Sequence, residues 1–80
     1  MTITVCFYAQ LRDFFGESLS LELPSASTIQ TIFEVLRNKN PLAGDWLTVS
    51  RAAGEDAFLA ADTLLFHGQT YYLLPPSSGG

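Results

Sequence analysis

The stretch Tyr71-Tyr72-Leu73-Leu74-Pro75-Pro76-Ser77-Ser78-Gly79-Gly80 passes through three kinds of residue in ten positions. Tyr71 to Leu74 are aromatic or branched apolar residues, suited to a buried strand. Strand alternation places Tyr72 and Leu74 on one face and Tyr71 and Leu73 on the other. Pro75 and Pro76 end the sheet, because neither has an N–H to donate and both hold φ near the polyproline value. Ser77 and Ser78 are small and polar, and Gly79 and Gly80 carry no side chain. A chain end is ordinarily a frayed tail. Here a core strand runs directly into a stiff spacer and then into bare backbone. From Pro75 to Gly80 the extended chain reaches roughly 20 Å at about 3.3 Å per residue, enough to thread a cleft in a partner. The group so delivered is the α-carboxyl of Gly80. The boundaries that follow are a folded domain over 1–74 and a flexible tail over 75–80.

Working back from that strand, Thr2 to Ala9 alternates, with Ile3, Val5, Phe7 and Ala9 on one face and Thr2, Thr4, Cys6 and Tyr8 on the other. The apolar face belongs on a core. Arg12-Asp13-Phe14-Phe15-Gly16 breaks the alternation, and Gly16 can adopt the positive φ that a turn needs. Ser18 to Leu23 alternates again through Leu19, Leu21 and Leu23, so the two runs read as a β-hairpin. Pro24 ends the second strand. Ser27-x-x-Gln30 has the form of a capping box, with Thr28 an alternative cap. Ile29, Ile32, Phe33 and Leu36 then form one apolar helical stripe, over a helix of roughly ten residues that must pack on the hairpin to be stable. Leu42 to Gly44 reads as loop. Trp46, Leu47 and Val49 suggest a third strand, paired with one through Phe58 and Leu59 across a turn at Gly54-Glu55-Asp56. Ala60-Ala61-Asp62-Thr63 would open a short helical turn, and His67-Gly68 is a turn before the final strand.

Eighty residues make one domain with a small core. The 48% hydrophobic content supplies that core, and charge is sparse at 15%. Eight acids stand against four bases, for a net charge of −4. Arg12, Arg37, Lys39 and Arg51 are scattered in sequence and make no basic stripe for nucleic acid. The acidic balance suits a basic protein partner. The lone Cys6 excludes an internal disulfide and any cysteine-built metal site, and fits a reducing compartment. Glu55, Asp56 and Asp62 lack metal-ligand spacing, so no metal is expected. Met1-Thr2-Ile3-Thr4 has neither the basic nor the apolar run of a signal peptide, and no stretch is apolar enough to span a membrane; the chain reads as cytoplasmic. His67 reads as an exposed turn residue and Cys6 as a small packed or interface residue, rather than as catalytic groups.

Three stretches share one resemblance. Leu73-Leu74-Pro75-Pro76-x-x-Gly79-Gly80, Phe7-Tyr8-Ala9-Gln10-Leu11-Arg12-Asp13 and Ala61-Asp62-Thr63-x-Leu65-x-x-Gly68 resemble segments of the small, sulfur-carrying subunit of molybdopterin synthase. The first is the most specific. The resemblance implies an α+β fold of the ubiquitin-like β-grasp plan: a mixed sheet, one main helix on one face, and the last strand beside the first. His67-Gly68-Gln69 departs from the Asp-Gly-Asp more frequent there and puts any partner contact of those acids in doubt.

The resemblance also implies a chemistry. A carboxylate is a poor electrophile and carries no sulfur, so a partner must activate it. A ubiquitin-activating-type enzyme would use ATP to adenylate Gly80, and a sulfur donor protein would convert it to a thiocarboxylate. That sulfur would pass to a cyclic pterin monophosphate in the large subunit, within a heterotetramer of two small and two large subunits. The catalytic groups would belong to the large subunit, and the small chain would hold no cofactor stably. Pro75, Pro76, Ser77, Ser78 and Gly79 would deliver Gly80. If the helix covers Tyr71 and Leu73, then Tyr8, Tyr72 and Leu74 form an exposed apolar patch at the base of the tail, joined by Phe58, that would serve as the partner interface. Three alternatives stand beside this: a sulfur carrier for another pathway such as thiamine thiazole, a ubiquitin-like modifier of lysines, with Lys39 the sole lysine for self-linkage, and an inert binding module.

Overall fold

The computed structural model describes residues 1–77. Its elements are β1 (Thr2–Phe7), α1 (Leu11–Phe15), β2 (Ser18–Glu22), α2 (Ile29–Lys39), a 3-10 turn (Pro41–Ala43), α3 (Gly44–Val49), β3 (Arg51–Ala53), β4 (Phe58–Leu59) and β5 (Thr70–Leu74). The strands form one sheet in the order β2-β1-β5-β3-β4. β1 pairs antiparallel with β2 and parallel with β5, while β3 is antiparallel to both β5 and β4. A mixed sheet with one main helix against one face is the class expected from the sequence.

Alternation decides which face that is. Ile3, Val5 and Phe7 of β1 and Tyr71 and Leu73 of β5 point to α2 and are buried. Ile29, Ile32 and Leu36 of α2 meet them, and Phe33 is half-buried at the margin. Burying each such side chain stabilises the fold by about 1.5–3 kcal/mol. The Tyr71 hydroxyl is not left without a partner, because it accepts from the Phe66 N–H at 3.0 Å. Thr28, the second of the two candidate caps, begins α2, and its N–H donates to the Thr31 hydroxyl at 3.1 Å. The Ser27 hydroxyl instead donates to the Pro24 carbonyl at 2.7 Å.

Several expectations are corrected. Trp46, Leu47 and Val49 lie in α3, not in a strand, and residues 42–44 belong to the 3-10 turn and the start of α3, not to a loop. Asn40 and Pro41 explain this. The Asn40 side chain accepts from the Leu42 N–H at 3.2 Å, and Pro41 occupies the first helical position, where no N–H is needed. Ala43 and Leu47, four residues apart, are the buried pair, which is helical spacing. The strand that pairs with Phe58 and Leu59 is the following Arg51–Ala53. Arg12 to Gly16 is largely α1, not an open turn. β1 stops at Phe7, and Ala9 is exposed with φ 50° rather than facing the core. At residues 60–63 a single turn closes through Thr63 N–H to the Ala60 carbonyl at 3.0 Å and is not continued as helix. Among the described residues no helix is long and apolar enough to cross a membrane.

Gly16 ends α1 at φ 81° and ψ −165°, a region essentially reserved for glycine. An added Cβ would meet nothing within 4 Å, so the cost of substitution is conformational and not steric. Gly16→Ala is therefore expected to lower the unfolding free energy by about 1–3 kcal/mol, read from the urea midpoint at unchanged slope.

Candidate functional site

β5 is a central strand, flanked by β1 and β3, and it ends at Leu74. Pro75 is half-buried, Pro76 and Ser77 are exposed, and none of the three is paired in the sheet. Of the tail residues proposed from sequence, Ser78, Gly79 and Gly80 lie outside the described residues.

On the face of the sheet away from α2, register brings residues from four strands into one row. Cys6 is opposite Tyr72, Tyr72 opposite Ala53, and Ala53 opposite Phe58. Arg51 is opposite Leu74 in the next row toward the tail. Tyr8 follows the end of β1 on the same side, and its ring lies 6.4 Å from that of Tyr72. Tyr8, Tyr72 and Leu74, all half-buried, line a shallow depression of about 270 Å³ together with Ala53, Gly54 and Glu55. The three residues grouped by alternation are thus together in space. Phe58 lies beyond Ala53, outside the depression, and remains 53% exposed.

Two arginines border this surface. The Arg12 guanidinium carbon is 5.5 Å from the Tyr8 ring centroid, and the Arg12 Nε donates to the Phe7 carbonyl at 3.0 Å. The Arg51 guanidinium carbon lies 3.7 Å over Phe58. Arginine on an exposed ring contributes about 0.5–1 kcal/mol and covers apolar area while leaving its charge in water. The Tyr72 hydroxyl donates to Glu55 Oε1 at 3.4 Å. Arg12, Arg51, Ala53, Gly54 and Glu55 were not among the site residues proposed from sequence. For Arg12 a signal existed in its four-residue spacing from Tyr8; for the others the position of β3 had to be known first.

The remaining candidates are dispersed. His67 is an exposed turn residue, as expected, and its Nδ1 accepts from the Thr2 N–H at 3.0 Å, at the opposite end of β5 from the tail. Cys6 is a free, half-buried thiol in the row with Tyr72. Among the described residues no three of the His, Cys, Asp and Glu side chains come together as a metal site.

A two-stranded hairpin, a helix laid across it, and a last strand inserted parallel to the first define the ubiquitin-like β-grasp class. Solved structures share this fold over the full chain. The chain is similar to one in the protein–protein complex of subunits 1 and 2 of molybdopterin-converting factor from Helicobacter pylori, with 26% identity, a TM-score of 0.73 and 100% of each chain covered. It is also similar in fold to SAMP1 from Haloferax volcanii, with 17% identity, a TM-score of 0.83 and 100% of each chain covered. A third likeness is to a putative molybdopterin converting factor subunit 1 from Pyrococcus furiosus, with 17% identity, a TM-score of 0.83, and 96% of this chain and 99% of that one covered. No protein-family model matches the sequence, and no curated protein matches it at a significant level.

The carboxylate of Glu55 holds the Tyr72 phenol above its ordinary range, since a phenolate would face a like charge; partial burial and the hydrogen bond to Glu55 act in the same direction. A raised folded-state pKa contributes stability that is present below the unfolded phenol value of about 10 and is lost as pH rises through the folded value. Glu55→Gln should move the Tyr72 titration back toward that value, followed by the ring-carbon NMR shift, and should weaken the alkaline loss of stability.

Proposed function

We propose that this chain is the small, sulfur-carrying subunit of molybdopterin synthase, and that its reactive group is the α-carboxyl of Gly80. The observation that carries the reading is the likeness, over the whole of both chains, to a chain of the Helicobacter pylori complex of molybdopterin-converting factor subunits 1 and 2. The sequence Pro75-Pro76-Ser77-Ser78-Gly79-Gly80 leaving a central strand supports it. In this reading the domain is a handle of residues 1–74, and the segment 75–80 enters a partner's cleft.

The carboxylate attacks ATP in an adenylating enzyme and releases pyrophosphate, giving the Gly80 acyl-adenylate. The outer sulfur of a persulfide donor attacks the acyl-adenylate and displaces AMP, giving an acyl disulfide; a thiol then attacks the donor's sulfur, forms a disulfide with it, and releases the Gly80 thiocarboxylate, a soft nucleophile. The large subunit then accepts that sulfur onto a cyclic pterin monophosphate and supplies the acid–base groups, so this chain is a carrier and not itself a catalyst. The surface of Tyr8, Tyr72 and Leu74, with Phe58 at its far side, is the docking face, and burying its aromatic area would supply the apolar part of the affinity.

The test is intact mass after incubation with the adenylating enzyme, ATP and a sulfur donor. The expected result is the gain of one oxygen-to-sulfur exchange, localised to Gly80 by fragmentation; an unchanged mass overturns the reading. Removing Gly80 should leave thermal unfolding unaltered and abolish sulfur transfer. The same mass measurement on protein taken from cells reads the terminal residue directly, and a ladder of heavier species on an immunoblot would mark a protein modifier instead.

A further inference from the structure

The depression beside the tail has an uneven chemistry. Its lining is two phenol rings, Tyr8 and Tyr72, the aliphatic Leu74, the small Ala53 and Gly54, and Glu55. Glu55 is the one charged residue of that lining, and its charge is negative. The turn between β3 and β4 holds it at the rim. Ala53 is opposite Tyr72 and Phe58, and the Gly54 N–H donates to the Ala57 carbonyl at 2.9 Å. Asp56 follows Glu55 in the same turn and is also exposed.

The Glu55 carboxylate is largely uncommitted. Among the described residues it accepts one hydrogen bond, from the Tyr72 hydroxyl at 3.4 Å, and a carboxylate offers about four acceptor sites. Its charge is felt at that ring, where it is the main cause of the raised Tyr72 titration. The two bordering bases are occupied elsewhere and line no part of the depression. The Arg12 guanidinium lies over Tyr8 with its Nε on the Phe7 carbonyl, and the Arg51 guanidinium lies over Phe58. Arg12 therefore stands at the Tyr8 end and Glu55 at the Tyr72 end, so a cation is favoured at the second.

Size and chemistry together select an occupant. A volume of about 270 Å³ falls below the roughly 300–1,000 Å³ of small-molecule sites. It suits one side chain projecting from a partner's surface. An aliphatic or aromatic side chain would cover the carboxylate without supplying a donor, which is costly. An acidic one would meet a like charge. A lysine would reach the carboxylate as a point charge and offer no flat surface to the ring. Arginine meets both demands: its planar guanidinium stacks on a phenol ring while its N–H fork matches a carboxylate with two parallel bonds. This face of the sheet already sets arginine on an aromatic ring at Tyr8 and at Phe58.

We propose that the depression receives one arginine side chain of the molybdopterin synthase large subunit, its guanidinium stacked on Tyr72 and paired with the Glu55 carboxylate. This rests on the carrier reading. It adds to the apolar docking face a single charged contact that fixes the register of the complex.

The experiment titrates the large subunit with the full-length protein by calorimetry at pH 7 and about 0.1 M salt. Glu55→Gln keeps the shape of the side chain and removes its charge, and should weaken binding by at least about tenfold. Asp56→Asn removes the same charge one residue further on, and should cost less than about threefold; the difference separates contact from long-range steering. Tyr72→Leu should cost on the order of tenfold, and Tyr72→Phe, which keeps the ring, less than about threefold. Circular dichroism and the urea midpoint confirm the fold of each variant. Each arginine and lysine of the large subunit is then replaced by alanine and titrated with wild-type and Glu55→Gln protein. At one arginine the loss seen with the wild type should largely vanish with Glu55→Gln, because residues in contact are energetically coupled. Coupling to a lysine or to no residue overturns the inference, as does a Glu55→Gln loss no larger than that of Asp56→Asn; either leaves the carrier reading standing. No binding by the wild type overturns both.

Discussion

Everything in this fold hangs on the parallel pairing of β1 with β5, the first strand with the last. Thr4 is opposite Thr70 and Phe7 opposite Leu73, partners 66 residues apart in the chain. Closing a loop of that length costs about 4 kcal/mol beyond the fixed cost of closure, so the pairing forms only when several interactions reward it together. The parallel ladder alone is not the whole reward. At its start the Thr2 N–H donates to His67 Nδ1, the Gly68 N–H to the Thr2 carbonyl at 2.8 Å, and the Thr4 N–H to the Gln69 carbonyl at 3.0 Å. Across its face, Val5, Phe7, Tyr71 and Leu73 bury against α2. The Gly68 conformation, at φ 82°, is what lets the chain turn into β5 in register with β1.

That register also makes the outer face. A shift of one residue would send Tyr72 and Leu74 inward and Tyr71 and Leu73 to solvent. The alternation of four consecutive large residues thus settles both what fills the core and what is left beside the tail. The same pairing fixes the exit. β5 lies between β1 and β3, and its partners run out at its end: Phe7 is opposite Leu73 and Arg51 opposite Leu74. Pro75 and Pro76 cannot donate to either neighbour. β1 is already at its end, and β3 only begins at Arg51.

The parts legible in the sequence are those where a single period decides. β1, β2 and β5 alternate cleanly, and α2 carries a stripe with 3.6-residue spacing through eleven residues. Tyr8, Tyr72 and Leu74 followed from the same parity. The middle of the chain failed because its elements are too short for a period to show. Six residues of α3 hold fewer than two turns, and Trp46-Leu47-Thr48-Val49 satisfies an alternating pattern as well as a helical one. The deciding signal was Asn40-Pro41, a cap followed by a first-turn proline, and not the apolar residues. The error propagated to the site. With a strand placed on Trp46 to Val49, Arg51 could not be set opposite Leu74, nor Glu55 beside Tyr72. Only the tertiary placement of β3 brings Arg51 opposite Leu74 and Glu55 to Tyr72, and no local pattern encodes that.

The domain's own chemistry points the same way as its shape. The single histidine is occupied in closing the far end of the sheet, the single cysteine lies in the middle of a strand, and the acids that come near the depression are represented by Glu55, which holds a phenol in its neutral form. What the fold does provide is a fixed origin for a segment of chain, two prolines that set its initial direction, and an aromatic surface around that origin. A slip of one residue in the β1–β5 register would move that origin by about 3.3 Å and exchange the core and outer faces of β5.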